Sequence, residues 1–146
     1  MTQRPFYALS FDFGTKSIGV AVGQSVAATA KELTPIKAKE GIPNWDNIQQ
    51  LLVEWTPEIV LVGLPVNMDG SEMEMTRRAR KFGKRIEGRY AQKIEFVDER
   101  LTTREAKMEA AENGHKGNYA TNPVDSIAAR ILLESWWREH FNTQNG

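Results

Sequence analysis

Asp12, Glu99 and Asp125 stand where acidic side chains are expensive. Asp12 interrupts an apolar run, residues 7–13 (YALSFDF), immediately before Gly14. A carboxylate at such a strand end is costly to bury unless it is paired or holds a metal. The competing reading is a turn-starting aspartate that accepts from the backbone of Gly14 or Thr15. Asp98 and Glu99 follow a short strand-like run, residues 93–97 (KIEFV). Successive strand side chains point to opposite faces, so only one of the two faces a given site; both can equally be surface acids at a strand end. Asp125 lies in the first turn of an expected helix. With Val124 at zero on a helical wheel, Ala128, Leu132 and Trp136 fall at about 40°, 80° and 120°, and Asp125 at about 100°. The acid therefore sits within the apolar stripe. Favourable interaction with the helix dipole explains an acid in the first turn, but not one aimed toward the core.

Convergence of three such carboxylates needs a counter-charge. At about 4 Å and an effective dielectric near 20, each pair costs on the order of 4 kcal/mol. Three pairs approach the whole stability of a typical domain, roughly 5–15 kcal/mol. Divalent cations, protonation or looser spacing must relieve that repulsion. Hard oxygen ligands in a chain without cysteine select magnesium or manganese.

Other polar residues allow two readings each. Lys16, in the turn after Asp12, is a candidate phosphate contact or an ordinary exposed turn lysine. Asn67 and Asp69 are placed to border a substrate groove, although Asp69-Gly70 is also a plain turn signal. His115 lies in a glycine-bearing segment, residues 114–121, as a substrate contact or a solvated loop histidine.

The elements that must position these groups follow from periodicity. Residues 7–13 and 18–23 read as a hairpin with a four-residue loop, and 26–36 as a weaker edge strand. Trp45, Ile48, Leu51, Leu52 and Trp55 recur at helical spacing, with Asn44 as cap and Thr56-Pro57 as stop. Residues 58–64 (EIVLVGL) form a continuous apolar run expected of a strand covered on both faces. A longer helix is expected over 73–90 and a strand over 93–97. A further helix over 102–113 opens on a Thr102/Glu105 capping box. The last helix spans 122–140, with Asn122 as cap and Pro123 at its first position. Within it, Trp137 lies opposite the apolar stripe, as an exposed contact surface or packed on the sheet. Three sequential strands followed by βα units imply a mixed sheet with helices on its faces.

A chain of 146 residues fits one domain and can bury roughly 70% of its unfolded surface, so it needs no disulfide staple. Absence of cysteine removes thiolate zinc sites and cysteine nucleophiles. No run approaches the ~20 apolar residues of a membrane span. No charged segment followed by an apolar one precedes the first strand, so the expected location is cytoplasmic. Formal net charge is zero, so a nucleic-acid signal must come from how charge is distributed.

That signal sits on the helix over 73–90. Met75, Ala79, Phe82, Ile86 and Tyr90 cluster on one face. Arg77, Arg78, Lys81, Lys84, Arg85 and Arg89 cover the opposite arc, with Arg80 beside them, and Glu87 is the only acid between Thr76 and Tyr90. Solvated helix surfaces usually mix signs, as i,i+4 pairing favours. Such segregation reads instead as a phosphate-binding face.

Four segments together resemble the YqgF family, also called RuvX: RNase H-like proteins described as Holliday-junction resolvases and pre-16S rRNA nucleases. Residues 12–21 (DFGTKSIGVA) resemble its opening motif. Residues 63–71 (GLPVNMDGS) are similar to its second, 97–103 (VDERLTT) to its third, and 124–129 (VDSIAA) to its fourth. The match spans nearly the whole chain in the expected order. Sugar kinases and actin-like ATPases share the Asp-x-Gly opening, but they need two such domains.

The resemblance implies an α/β, RNase H-like fold over residues 1–146. Its sheet would be five-stranded and mixed, three antiparallel strands then parallel βα units, flanked by helices. It also implies a catalytic, metal-binding triad at Asp12, Glu99 and Asp125, which resolves the Asp98/Glu99 alternative by analogy. Two magnesium or manganese ions would sit about 3.5–4 Å apart, bridged by Asp12. The implied function is metal-dependent hydrolysis of phosphodiester bonds, in processing the 5′ end of pre-16S rRNA. The alternatives are Holliday-junction cleavage in DNA and a non-catalytic nucleic-acid-binding module. The implied partner is nucleic acid, RNA favoured over DNA, contacted by Lys16, Asn67, Arg77, Arg78, Lys81, Lys84 and Arg85. Monomer and homodimer both remain open. One departure is local: family members are basic just before the fourth motif, where this chain has Thr121-Asn122-Pro123.

Overall fold

The computed structural model describes residues 4–102 and 124–145; the side chains of 101, 102, 124, 125 and 142–145 lie outside that description. The elements run β1 (Tyr7–Asp12), β2 (Ser17–Gln24), β3 (Lys31–Lys39), β4 (Ile42–Pro43), α1 (Trp45–Trp55), β5 (Ile59–Leu64), α2 (Glu74–Tyr90) and β6 (Ile94–Asp98). A 3₁₀ turn (Glu99–Thr102) follows, and α3 (Val124–Asn145) closes the described chain. The helix expected over 102–113, the loop over 114–121 and His115 fall outside the described residues, apart from Thr102 in the 3₁₀ turn.

The strands form one mixed sheet in the order β4-β3-β2-β1-β5-β6. The β1–β2, β2–β3 and β3–β4 pairs are antiparallel, whereas β1–β5 and β5–β6 are parallel. The sheet has six strands where five were expected. The extra one, β4, is two residues long, too short to show alternation. It pairs through a two-residue turn in which Glu40 and Gly41 both have positive φ, 51° and 82°.

The third strand also lies later than the sequence predicts. Residues 25–28 form a turn because the flanking Gln24 and Thr29 side chains compete for backbone partners. Thr29 Oγ1 accepts from Gln24 N at 3.1 Å, and Gln24 Oε1 accepts from Val26 N at 2.9 Å. The strand opens only at Lys31.

The first cap behaves as its residue type dictates: Asn44 Oδ1 accepts from Asp46 N at 3.0 Å. Every residue of β5 is buried, as a strand covered on both faces requires. Alternation along the strands sorts the core into two layers. Leu9, Phe11, Val60 and Val62 pack with Ile48 and Leu52 of α1 and Ala79, Phe82 and Ile86 of α2. Ala8, Ala21, Leu61 and Val97 pack on the other face with Ala129, Leu132, Leu133, Trp136 and Trp137 of α3.

Trp137 is therefore packed on the sheet, 2% exposed, and its Nε1 donates to Thr29 O at 2.8 Å; the exposed reading is wrong. The sheet-facing arc of α3 is wider than the stripe drawn from the wheel. Ile127 and Ile131 are buried as a separate small cluster. Among the described residues no helix is long and apolar enough to cross a membrane.

Candidate metal and nucleic-acid site

The carboxyl ends of the parallel strands β1, β5 and β6 share one edge of the sheet, where open α/β sheets characteristically bind ligands. Asp12 is the last residue of β1, half-buried, with the same strand parity as Ala8 and Ser10, so it faces the α3 layer. Its two sheet neighbours lack side chains. Gly19 of β2 is its register partner. On the other side Phe11 pairs with Val62, so Gly63 is the next residue of β5.

Gly63 makes room for the second acid. A Cβ built there would lie 2.6 Å from Glu99 Oε1 and 3.0 Å from Glu99 Cγ. Gly63 shares the parity of Ile59 and Leu61, which face α3. The Glu99 side chain thus lies across the sheet surface that a larger residue would fill, on the face Asp12 occupies.

Asp98 is engaged elsewhere. Arg100 Nη2 donates to Asp98 Oδ2 at 2.6 Å, Arg100 N donates to Oδ1 at 2.8 Å, and Arg100 Nη1 donates to Met68 O at 3.0 Å. Hydrogen bonds from Arg100 hold the Asp98 carboxyl below its ordinary range. The two adjacent acids have separate tasks: Asp98 anchors Arg100, and Arg100 ties the end of β6 to the loop after β5.

α3 starts at the same edge. Ser126 Oγ accepts from Val20 N at 3.0 Å and donates to Leu33 O at 2.6 Å. This pair of hydrogen bonds spans a bulge, because Ile18 pairs with Ile36 but Val20 pairs with Leu33. Thr34 and Pro35 therefore both oppose Gly19, and Pro35 has no N–H to give to a ladder. Val20 is the partner of Phe11, one step from Asp12. Residue 125 immediately precedes Ser126 on the helix backbone, and α3 packs beside the 3₁₀ turn that carries Glu99. The Asp125 side chain lies outside the described residues, and among those described no three Asp, Glu or His side chains form a metal-binding group.

Two observations bear on whether a hard cation fits. Asp12 and Glu99 bring carboxylates to one face across a glycine cradle, a donor set suited to magnesium or manganese. Two residues before Asp12, with the same parity, the Ser10 hydroxyl is fully buried and has no hydrogen-bond partner among the described residues.

The remaining candidates separate. Lys16 is exposed in the β1–β2 loop, and its carbonyl accepts from Ala38 N at 2.9 Å. Asn67 and Asp69 belong to a closed turn. Asn67 Nδ2 donates to Ser71 Oγ at 3.0 Å, Asp69 Oδ1 accepts from Ser71 Oγ at 2.6 Å, and Gly70 has φ 89°. The turn reading of Asp69-Gly70 therefore holds.

On α2 the apolar face is buried as expected, but the basic arc is narrower. Arg80 pairs with Glu72 at 2.6 Å and Arg78 with Glu74 at 3.3 Å, acids just before the basic stretch. Arg89 lies 4.3 Å over the Trp45 ring. Arg77, Lys81, Lys84 and Arg85 are exposed and make no ion pair among the described residues.

Gly19, Gly63, Ser126 and Arg100 are the site-building residues that composition and periodicity miss. The one available signal was Gly63, a glycine inside an otherwise unbroken apolar strand.

The chain is similar to known proteins over most of its length. Residues 7–139 match the family model "RuvX: Holliday junction resolvase". A protein of Saccharophagus degradans named "Putative pre-16S rRNA nuclease" is 67% identical over 132 residues, covering 90% of this chain and 93% of its own. One of the same name from Mannheimia succiniciproducens is 55% identical over 133 residues, covering 91% and 95%. Among solved structures, Thermus thermophilus RuvC in complex with a Holliday junction substrate superposes with a TM-score of 0.59 at 15% identity, over 94% of this chain and 97% of that one. This last likeness shows the fold, and the fold is the RNase H-like one of the resolvases. With a match across most of its length and relatives this similar, the chain belongs to the RuvX (YqgF) family.

Proposed function

We propose that the protein is a metal-dependent nuclease that hydrolyses phosphodiester bonds in nucleic acid, with pre-16S rRNA as its substrate in the cytoplasm. The observation that carries this reading is the Glu99 carboxylate lying over Gly63, on the face of the sheet where β1 ends in Asp12. Strong similarity to relatives named for pre-16S rRNA supports RNA as the substrate. We read residues 1–146 as one nuclease domain.

Asp12, Glu99 and Asp125 would hold magnesium or manganese. When bound, such ions supply a nucleophilic water near neutral pH and neutralise charge on the leaving 3′ oxygen. The chain's own residues do the positioning. Gly63 leaves beside Asp12 the room that the Glu99 side chain occupies, which sets the two carboxylates on one face. Ser126 fixes the start of α3 against the β2–β3 bulge. Arg100 holds Asp98 away from the site and braces the loop carrying Asn67. Arg77, Lys81, Lys84 and Arg85 attract the phosphate backbone. Lys16, exposed in the loop after Asp12, would meet the strand next to the cut.

The test is incubation of purified protein with labelled pre-16S rRNA fragments and, separately, with four-way junction DNA, in manganese or in EDTA. Manganese-dependent cutting of the RNA is expected. Cutting confined to the junction would transfer the reading to DNA, and no cutting of either would leave a binding module.

A further inference from the structure

Between α2 and the β3–β4 turn lies a cavity of about 230 Å³. Phe13, Trp45 and Phe82 give its lining an aromatic component, and Arg78, Lys81 and Arg85 give it a cationic one. The aromatic component is held rigidly: Phe13 and Phe82 meet at 5.3 Å between centroids and Trp45 and Phe82 at 6.2 Å. The turn is moulded onto it, because a Cβ at Gly41 would lie 2.8 Å from Phe13 Cζ. The three cations stand at i, i+3 and i+7, one stripe of the helix spanning about 10 Å. Against them the lining offers one carboxylate, Glu40. Arg78 is also paired with Glu74, whereas Lys81 and Arg85 make no ion pair among the described residues.

We infer that this cavity takes one unpaired base of a single-stranded nucleic acid, with the flanking phosphates on Lys81 and Arg85. The inference rests on the nuclease reading and narrows its substrate to a strand with an unstacked nucleotide beside the cut. An aromatic lining beside a cationic stripe is complementary to a base joined to phosphates. The volume falls below the roughly 300–1,000 Å³ of drug-sized sites, so it suits one base and not a stacked pair. A duplex keeps its bases paired inside the helix and cannot fill the cavity without unstacking. Phe13 directly follows Asp12, but it packs with the α1 and α2 layer while Asp12 faces α3. The strand therefore crosses the carboxyl edge of the sheet, its cleaved phosphate on one face and a neighbouring base on the other.

The test is an abasic scan. Short fluorescent RNA and DNA strands, each lacking one base at a successive position, are bound to the intact protein in EDTA and followed by anisotropy. A loss of about tenfold in affinity at one position, with little change elsewhere, is expected. A matched duplex should bind about tenfold more weakly than the single strand. Trp45→Ala should flatten the scan, but the wild-type scan decides alone should that variant not fold. The strand type that shows the position-specific loss identifies the sugar the site accepts. A flat scan in both strand types, or duplex binding equal to single-strand binding, overturns the inference. Cutting in manganese is measured in parallel. A flat scan with cutting intact removes the cavity and leaves the nuclease reading standing, whereas a position-specific loss without cutting keeps the cavity and sinks the nuclease.

Discussion

Replacing Gly63 by alanine isolates the position of Glu99 from its chemistry. The new methyl would meet Glu99 Oε1 at 2.6 Å, against an ordinary contact of at least 3.4 Å, so the carboxylate must retreat by about 0.8 Å. Glu99 Cγ at 3.0 Å and Cδ at 3.2 Å are also crowded, so a small rotation of the carboxyl group does not suffice and the whole side chain must swing. The strand tolerates the change, because Gly63 lies within the ladder, paired with Val97, and is not a positive-φ glycine. Overpacking of this kind costs about 1–3 kcal/mol, within the stability of an ordinary domain. Misplacing a catalytic group by about 1 Å costs on the order of 100-fold in rate. The expected result is a folded protein whose single-turnover cleavage falls about 100-fold, with strand affinity nearly unchanged and a higher manganese requirement. The assay is a manganese titration of RNA cleavage, paired with urea unfolding and anisotropy binding. A Gly63→Ala protein that cuts at the wild-type rate with the same manganese midpoint would refute the reasoning, since Glu99 would then be free to move without consequence.

Asp12→Asn should abolish cleavage while leaving strand binding largely intact. Manganese should raise the melting temperature of wild type but not of this variant, because only a ligand of the folded state stabilises it. For Asp98, the lowered carboxyl pKa means the Arg100 pairing contributes stability above the ordinary carboxylate range, lost as pH falls through the depressed value. Urea midpoints at pH 6 and pH 3 should therefore drop further in wild type than in Arg100→Met; equal drops would remove the pairing from the stability of the fold. Trp137→Ala should cost about 3–5 kcal/mol by urea unfolding, since it empties a buried site and orphans the Thr29 carbonyl; a loss under about 1 kcal/mol would contradict the packing described. Reversing Arg77 and Lys84 to glutamate should weaken RNA binding and flatten its dependence on salt, as loss of two phosphate contacts requires; an unchanged slope across a salt series would move the substrate off α2.

Among the described residues, the sequence by itself determined the three helices, four of the strands and the class of chemistry. Periodicity marked α1, α2 and α3, and the apolar runs marked β1, β2, β5 and β6, because each is long enough for its burial pattern to repeat. Family motifs then selected Asp12, Glu99 and Asp125 from nineteen acids. Tertiary structure decided what pattern cannot carry. β4 is two residues long and has no period, and β3 starts late because Gln24 and Thr29 side chains capture the preceding backbone. Trp137 is buried because the sheet is broad enough to cover more of α3 than one stripe. Asp98 and Glu99 are adjacent and chemically alike. What separates them is an arginine that grips one, while the other lies in a space left open by a glycine thirty-six residues earlier. Long-range contacts of that kind leave no mark on local spacing. The sequence names the groups able to do the chemistry, and only the packed sheet edge decides which of them meet.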